Sequence, residues 1–293
     1  MQAATVVQTR LGAVEVVFVP GERPPVLFFP GGHCTATTDC GWGLYTSRGH
    51  GILAFSRPGY GATRVGRLSA QEFVPAVAEC CERWGVTETA GAVGVSFGGL
   101  QAIQCAVSLA GLVPRLVLHS CAPSTHAYPD STAQAVFGPL GFAPGPQRLL
   151  WSAIARLVGS ERGLRRMVAT LSTRPLDEWW DTWSADDRTR ARELFREMSS
   201  GAGFVNDLRQ GRADRSSYRR LVQTEVRCPT LVTASRHDAG VAFRHAEDFA
   251  KTIPGATLVE VDAPSHLFWI GPARAQVEAA VHAFLAIPAQ PAE

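Results

Sequence analysis

The stretch that decides the fold is GAVGVSFGG, residues 91–99. The apolar run before its serine predicts a buried strand, and a helical pattern begins at Phe97. Ser96 is therefore expected on a tight strand-to-helix turn that exposes its hydroxyl above the sheet. Gly94 and Gly98 lie two positions to either side, where a larger side chain would clash with the turn. The pattern G-x-S-x-G in this setting predicts that Ser96 is a nucleophile.

Apolar runs on both sides of this stretch extend the same architecture. Continuous runs without alternation are typical of strands buried on both faces, as in a parallel sheet. Helical patterns separate several of these runs, and alternation of strand and helix indicates an α/β fold. We therefore expect a mostly parallel eight-stranded sheet flanked by helices. The predicted strands are residues 4–9, 13–19, 25–29, 51–55, 90–95, 115–119, 230–234 and 257–261. The predicted core helices are residues 69–85, 97–109, 240–252 and 272–286.

One long segment, residues 123–222, interrupts this alternation. It opens with many prolines and glycines and continues with helical patterns that are rich in arginine. Such a segment predicts a mainly helical cap, or lid, inserted over the edge of the sheet. The expected domains are an α/β core formed by residues 1–122 and 223–288, and the cap at 123–222. The Pro- and Ala-rich tail at 289–293 is expected to be frayed.

Bulk composition limits the possible partners of the protein. The chain has 293 residues, 46% of them hydrophobic, and a formal net charge of only +2. This balance gives no reason to expect a nucleic-acid or membrane partner, and no apolar run is long enough to cross a bilayer. The seven cysteines include no C-x-x-C pair, and their spacing fits no zinc site. No metal and no other cofactor is expected. We expect a cytoplasmic protein with reduced thiols and a small-molecule substrate; nothing indicates its oligomeric state.

A serine nucleophile needs a base and an acid that orients the base. His266 follows the last predicted strand, in a loop that can reach Ser96 at the carboxyl edge of the sheet. Asp238 follows the preceding strand and is the expected acid. Asp262 is closer to His266 in sequence, but it ends the last strand itself, and we therefore favour Asp238. The predicted catalytic residues are Ser96, Asp238 and His266.

The reaction also needs two N–H groups that stabilise the developing oxyanion. Phe97 supplies one, because its N–H lies at a helix N-terminus. The loop Pro30-Gly31-Gly32-His33 follows the third strand, and its glycines permit close approach of the backbone to a ligand. We assign the second N–H to Gly32 and place the side chain of His33 in the substrate pocket.

Three tryptophans in the cap, Trp179, Trp180 and Trp183, have two possible roles. They could line an aromatic pocket for the substrate. Their i, i+1, i+4 spacing equally puts at least two of them against the sheet as part of the core. The sequence does not decide between substrate binding and packing at these positions.

Five motifs together resemble the α/β-hydrolase superfamily, in its serine-nucleophile branch. They are FPGG at 29–32, SRPGYG at 56–61, GVSFGG at 94–99, SRHD at 235–238 and PSH at 264–266. The resemblance implies the α/β-hydrolase sheet and the chain order serine, aspartate, histidine for the triad. Because the nucleophile is a serine and not an aspartate, haloalkane dehalogenase and epoxide hydrolase chemistry is disfavoured.

The function predicted from these residues is hydrolysis of a small-molecule ester, or a related acyl compound, through an acyl-enzyme. A peptidase, a C–C hydrolase, or an acyl-transfer or ring-opening enzyme of a natural-product pathway would use the same triad. A ligand-binding, receptor-like protein with vestigial turnover is the alternative from another class. The intact triad favours an enzyme over this last alternative.

Overall fold

The computed structural model describes residues 3–130 and 145–287 of the chain. Within these residues, eight strands form one sheet in the order β1-β2-β4-β3-β5-β6-β7-β8. β1 pairs with β2, and β2 with β4, in antiparallel fashion, while the remaining neighbours are parallel. The predicted fold class is thereby confirmed. The strands are β1 Thr5–Thr9, β2 Gly12–Val19, β3 Arg23–Phe29, β4 His50–Phe55, β5 Gly91–Val95, β6 Leu116–His119, β7 Thr230–Ala234 and β8 Ala256–Glu260.

Helices cover both faces of the sheet and fill the described part of the segment between β6 and β7. The core helices are α1 Gly43–Thr46, α2 Ala70–Arg83, α3 Gly98–Ser108, α9 Arg244–Thr252 and α10 Arg274–Ala286. The helices between β6 and β7 are α4 Pro146–Leu157, α5 Glu161–Ala169, α6 Ala185–Glu197, α7 Gly203–Gln210 and α8 Ser216–Thr224. None of the described helices is long and apolar enough to span a membrane. The tail expected to fray, 289–293, and residues 131–144 of the predicted cap lie outside the described residues.

Successive side chains of a strand point to opposite sides of the sheet. In the central strands both sets of side chains are buried, because helices cover both faces of the sheet. In β3, Val26 and Phe28 join one apolar cluster, whereas Leu27 and Phe29 join the other. Residues of α1 and α10 complete the first cluster, and residues of α2, α3 and α9 complete the second. Burying a side chain such as Phe28 contributes roughly 1.5–3 kcal/mol. The runs that predicted a parallel sheet therefore form the centre of the core.

The topology brings the four loops that carry predicted site residues to one edge of the sheet. β3, β5, β7 and β8 are parallel, and so their carboxyl ends lie on the same side. The loops after these strands carry Gly32, Ser96, Asp238 and His266, respectively. In open α/β sheets, ligands bind outside the carboxyl ends of the strands.

Candidate active site

Ser96 lies on the turn between β5 and α3 with a left-handed backbone, φ +52°. This conformation is strained for a residue other than glycine and recurs at functional sites. The flanking glycines make the turn possible. A Cβ on Gly94 would lie 2.6 Å from the Gly99 Cα, and one on Gly98 would lie 1.9 Å from the Phe29 carbonyl oxygen. The close approach of these segments explains the small residues in the motif.

Ser96 and His266 border the same cavity, between the sheet edge and the helices that follow β6. Its volume is about 640 Å³, within the usual range for small-molecule sites. Gly32 and Phe97 border it near Ser96, as does His33. The structure thus brings five of the predicted site residues to one cavity.

His266 is paired with Asp238, as the sequence predicted for the base and its acid. The distance from His266 Nδ1 to Asp238 Oδ2 is 2.7 Å. Because a carboxylate can only accept, Nδ1 carries the proton and Nε2 is left as an acceptor. The other oxygen of Asp238 accepts the N–H groups of Gly240 and Val241 at 2.7 and 2.9 Å. Both oxygens of this buried carboxylate are therefore satisfied.

Asp262, the competing acid, is far more exposed than Asp238. Its side chain is 69% exposed, against 1% for Asp238. It lies 3.9 Å from Nε2 of His237 and 3.9 Å from a guanidinium nitrogen of Arg174. The structure brings Asp238, and not Asp262, into contact with His266.

The environment of His266 makes its imidazole a stronger base. Burial lowers the pKa of His266, but the charge of Asp238 and its hydrogen bond to Nδ1 together raise it. The net effect is a pKa above the ordinary value of 6.5. A raised pKa suits a group that must accept a proton from a serine hydroxyl.

Two backbone N–H groups beside Ser96 are available for a ligand oxygen. In residues 3–130 and 145–287, neither the Phe97 N–H nor the Gly32 N–H has a hydrogen-bond acceptor. Phe97 directly precedes α3. The glycine loop lies against the serine turn, because a Cβ on Gly31 would lie 3.2 Å from the Ser96 Cβ. Gly32 and Phe97 both border the cavity beside Ser96, so a ligand oxygen there could accept from their N–H groups.

His33 borders the cavity as a neutral ring. Burial, aided by the charge of Arg57, lowers the pKa of His33 to about 3. Its Nδ1 lies 2.8 Å from the Ser200 hydroxyl, and its ring centroid is 3.9 Å from that of Phe204. His33 is therefore a fixed, uncharged part of the wall.

The three tryptophans lie outside the cavity lining. Trp179, Trp180 and Trp183 are at most 3% exposed and belong to the first apolar cluster, which contains Phe28. The centroids of Trp179 and Trp183 are 5.3 Å apart, and a Cβ on Gly271 would lie 2.4 Å from Trp183 Nε1. The structure places all three in the core rather than against a substrate. Trp151, which the sequence analysis did not single out, borders the cavity instead.

A short segment after α5 holds the loops that carry Asp238 and His266. The Leu171 carbonyl accepts the N–H of His266 at 3.0 Å and the N–H of Ala239 at 3.2 Å. The Thr173 N–H donates to the His237 carbonyl at 2.9 Å. The chain between β6 and β7 is thus bonded directly to the loops that carry Asp238 and His266.

Comparison with known proteins gives consistent matches over nearly the whole chain. A model of the alpha/beta hydrolase family matches residues 16–280. YcgS of Bacillus subtilis (strain 168), described as an uncharacterized hydrolase, is 27% identical over 275 residues, covering 91% of this chain and 93% of YcgS. An alpha/beta hydrolase fold protein from Nakamurella multipartita superposes with a TM-score of 0.73 at 22% identity, covering 97% of this chain and 99% of its own. The enol-lactonase from Burkholderia xenovorans LB400 superposes with a TM-score of 0.69 at 18% identity, covering 96% and 99%.

Proposed function

Because the chain belongs to the alpha/beta hydrolase family, we propose that it is a serine hydrolase that cleaves small-molecule esters, open-chain or cyclic. The observation that carries the proposal is the His266–Asp238 pair at the cavity that Ser96 borders. A histidine held by a buried carboxylate is the base that a serine nucleophile needs. The similarity to an enol-lactonase agrees with this, since a lactone is an ester closed into a ring.

The first half of the proposed reaction forms an acyl-enzyme. Nε2 of His266 accepts the proton of Ser96 as Oγ attacks the carbonyl carbon, and the carbonyl π electrons move to oxygen. The N–H groups of Phe97 and Gly32 stabilise the resulting oxyanion. As the oxyanion collapses, the bond to the alcohol breaks, and His266 gives its proton to the leaving oxygen.

The second half repeats the same steps with water. His266 removes a proton from water as the water oxygen attacks the acyl carbon, and a second oxyanion forms at the same N–H groups. Its collapse breaks the bond to Ser96, whose oxygen recovers the proton from His266. Throughout, Asp238 holds the imidazole in one tautomer and stabilises its charged form. The products are a carboxylic acid and an alcohol.

The cavity lining favours an uncharged, apolar substrate. Among the described residues that border it there is no Asp, Glu, Lys or Arg. The wall consists largely of carbon and sulfur, with Trp151, Phe204 and Met167 as examples, and its His33 is neutral. An ionised group on the substrate would lose its hydration here without gaining a partner of opposite charge, at a cost of several kcal/mol.

A matched pair of esters tests this substrate class. We expect the methyl ester of p-nitrophenyl adipate to be hydrolysed with a kcat/KM about 100-fold higher than that of the free carboxylate, since the unpaired carboxylate is penalised on burial. The Met167→Lys variant should narrow this ratio at least about 10-fold, because it adds a cation to the wall. Met167→Leu, which keeps the wall neutral, should leave the ratio unchanged. A wild-type preference for the carboxylate would contradict the proposed substrate class.

The pH dependence tests the base and its acid. Because His266 must be neutral to accept a proton, kcat/KM should fall as the pH drops through its raised pKa, placing the acid limb above pH 6.5. Asp238→Asn removes the two interactions that raise the pKa of His266 and leaves the burial that lowers it. The acid limb of the pH profile should therefore move to lower pH. That variant should also lose about 10⁴-fold in kcat. Asp262→Asn serves as the control; a larger loss there than in Asp238→Asn would show that the acid is misassigned.

A further inference from the structure

A buried arginine contacts the loop that carries Gly32, here called the oxyanion loop, residues 30–33. Arg57 follows β4 and is 4% exposed. Its Nε donates to the Pro30 carbonyl at 3.1 Å, and its Nη2 donates to the Gly31 carbonyl at 3.1 Å. Its Nη1 lies 2.5 Å from Oδ1 of Asp207. One planar guanidinium thus holds two consecutive carbonyls of the loop and one carboxylate.

The carboxylate comes from the segment between β6 and β7. Asp207 lies on α7 and is 2% exposed, and its other oxygen accepts the Tyr60 hydroxyl at 2.5 Å. The guanidinium carbon of Arg57 lies 4.8 Å from the Tyr60 ring centroid. At the start of the same helix, the Gly203 N–H donates to the Gly59 carbonyl at 3.1 Å. α7 is therefore fixed to the loop that presents the arginine.

The contact with Gly31 determines where the N–H of Gly32 points. The Gly31 carbonyl and the Gly32 N–H belong to one planar peptide unit, and in a trans peptide they point to opposite sides. Holding the carbonyl toward Arg57 therefore turns the Gly32 N–H away from Arg57. Glycine has no side chain to restrict its backbone, and so an external contact is needed to fix this plane.

We propose that Arg57 and Asp207 are positioning residues, and that Asp207 holds Arg57 so that the oxyanion loop keeps the Gly32 N–H aimed at the oxyanion. This inference rests on the proposed function for its kinetic readout. It explains why a charged pair is buried away from the reacting atoms. It also gives α7 a role in catalysis that does not depend on contact between this helix and the substrate.

The Arg57→Lys variant tests the proposal. Lysine keeps the charge but cannot hold two carbonyls and a carboxylate in one planar fork. Because the oxyanion forms only as the carbonyl is attacked, and not in the bound substrate, kcat should fall about 10- to 100-fold while KM changes less than about threefold. A trifluoromethyl ketone, which forms a tetrahedral adduct with serine, should lose affinity in the same proportion as kcat/KM. Loss of stability alone would not produce this separation of kcat from KM.

Arg219→Lys is a matched control. Arg219 is likewise 4% exposed and donates to the carbonyls of Ser124, Gln210 and Arg212 at 2.6–2.9 Å. None of these carbonyls belongs to the oxyanion loop. We expect a lower Tm in both lysine variants, but a loss of kcat and of inhibitor affinity only in Arg57→Lys. Equal kinetic behaviour of the two folded variants would overturn the proposal.

Substitutions of Asp207 test whether the hydrogen bond that it accepts from Arg57 matters for catalysis in addition to its charge. Asp207→Asn keeps an oxygen acceptor in nearly the same shape, so kcat should fall less than in Asp207→Ala. The reverse order would contradict a positioning role.

A failure of the inference can be told apart from a failure of the proposed function. If wild type does not react with a fluorophosphonate, the proposed function is wrong, and kinetics cannot judge Arg57. A crystal structure of Arg57→Lys then decides the question by itself. A rotated Gly31–Gly32 peptide supports the positioning role, whereas a peptide oriented as in wild type overturns it.

Discussion

The Ser96→Ala variant is expected to fold normally and to lose essentially all ester hydrolysis, with kcat falling on the order of 10⁵-fold or more. The hydroxyl is the atom that attacks the carbonyl, and no described neighbour offers a substitute on the same turn. Alanine is similar in size to serine, so the turn between β5 and α3 should be retained. Hydrolysis of p-nitrophenyl hexanoate measures the loss, and thermal unfolding confirms that the variant is folded.

Ser120→Ala is the matched control for this prediction. Ser120 also has a left-handed backbone, with φ +45°, is 3% exposed and follows β6 at the same sheet edge. It does not border the cavity. A fluorophosphonate should label wild type and Ser120→Ala, but not Ser96→Ala. Full labelling of Ser96→Ala would reject Ser96 as the nucleophile, and absence of both labelling and turnover in wild type would favour a ligand-binding protein.

The His266→Ala variant is expected to lose about 10⁴- to 10⁶-fold in kcat/KM. Without the imidazole, the Ser96 hydroxyl has no acceptor for its proton, and the leaving alcohol has no donor. The substitution also leaves Asp238 buried without its partner, so Tm should fall as well. Hydrolysis of p-nitrophenyl hexanoate at pH 8 gives the rate, and added imidazole should restore part of it.

His237→Ala controls for loss of a nearby imidazole. His237 is adjacent to Asp238 in sequence, but its side chain is 38% exposed and lies 3.9 Å from Asp262. Its removal should leave kcat/KM within about threefold of wild type, as expected for a surface substitution without special contacts. A loss equal to that of His266→Ala would show that the base is misassigned.

The sheet could be predicted closely because its signals are local. β7 covers Thr230–Ala234, the same residues as the apolar run that predicted it. β3 begins at Arg23, two residues before its prediction, and its register with β4 shifts between Arg23 and Val26. Two prolines in this stretch obscure the strand, because proline is normally depleted from sheets.

Ser96, Asp238 and His266 could be proposed because each lies at the end of a predicted strand or in the loop that follows it, and parallel strands bring these positions to one edge. The lining of the cavity had no comparable signal. Helical spacing put at least two of Trp179, Trp180 and Trp183 on one face, but did not show which neighbour that face meets. Arg57 and Asp207 are 150 residues apart in sequence, and only the tertiary structure brings them together.

Ser96, His266 and the two N–H groups are proposed to act together on one carbonyl group. A crystal structure of the protein inactivated by a p-nitrophenyl phosphonate tests this proposal most directly, because the adduct resembles the tetrahedral intermediate. We predict phosphorus bonded to Ser96 Oγ, the phosphoryl oxygen within hydrogen-bond distance of the Gly32 and Phe97 N–H groups, and His266 Nε2 facing the ester oxygen. Phosphorus on another residue, or an imidazole turned away from the adduct, would show that Ser96 and His266 do not act together.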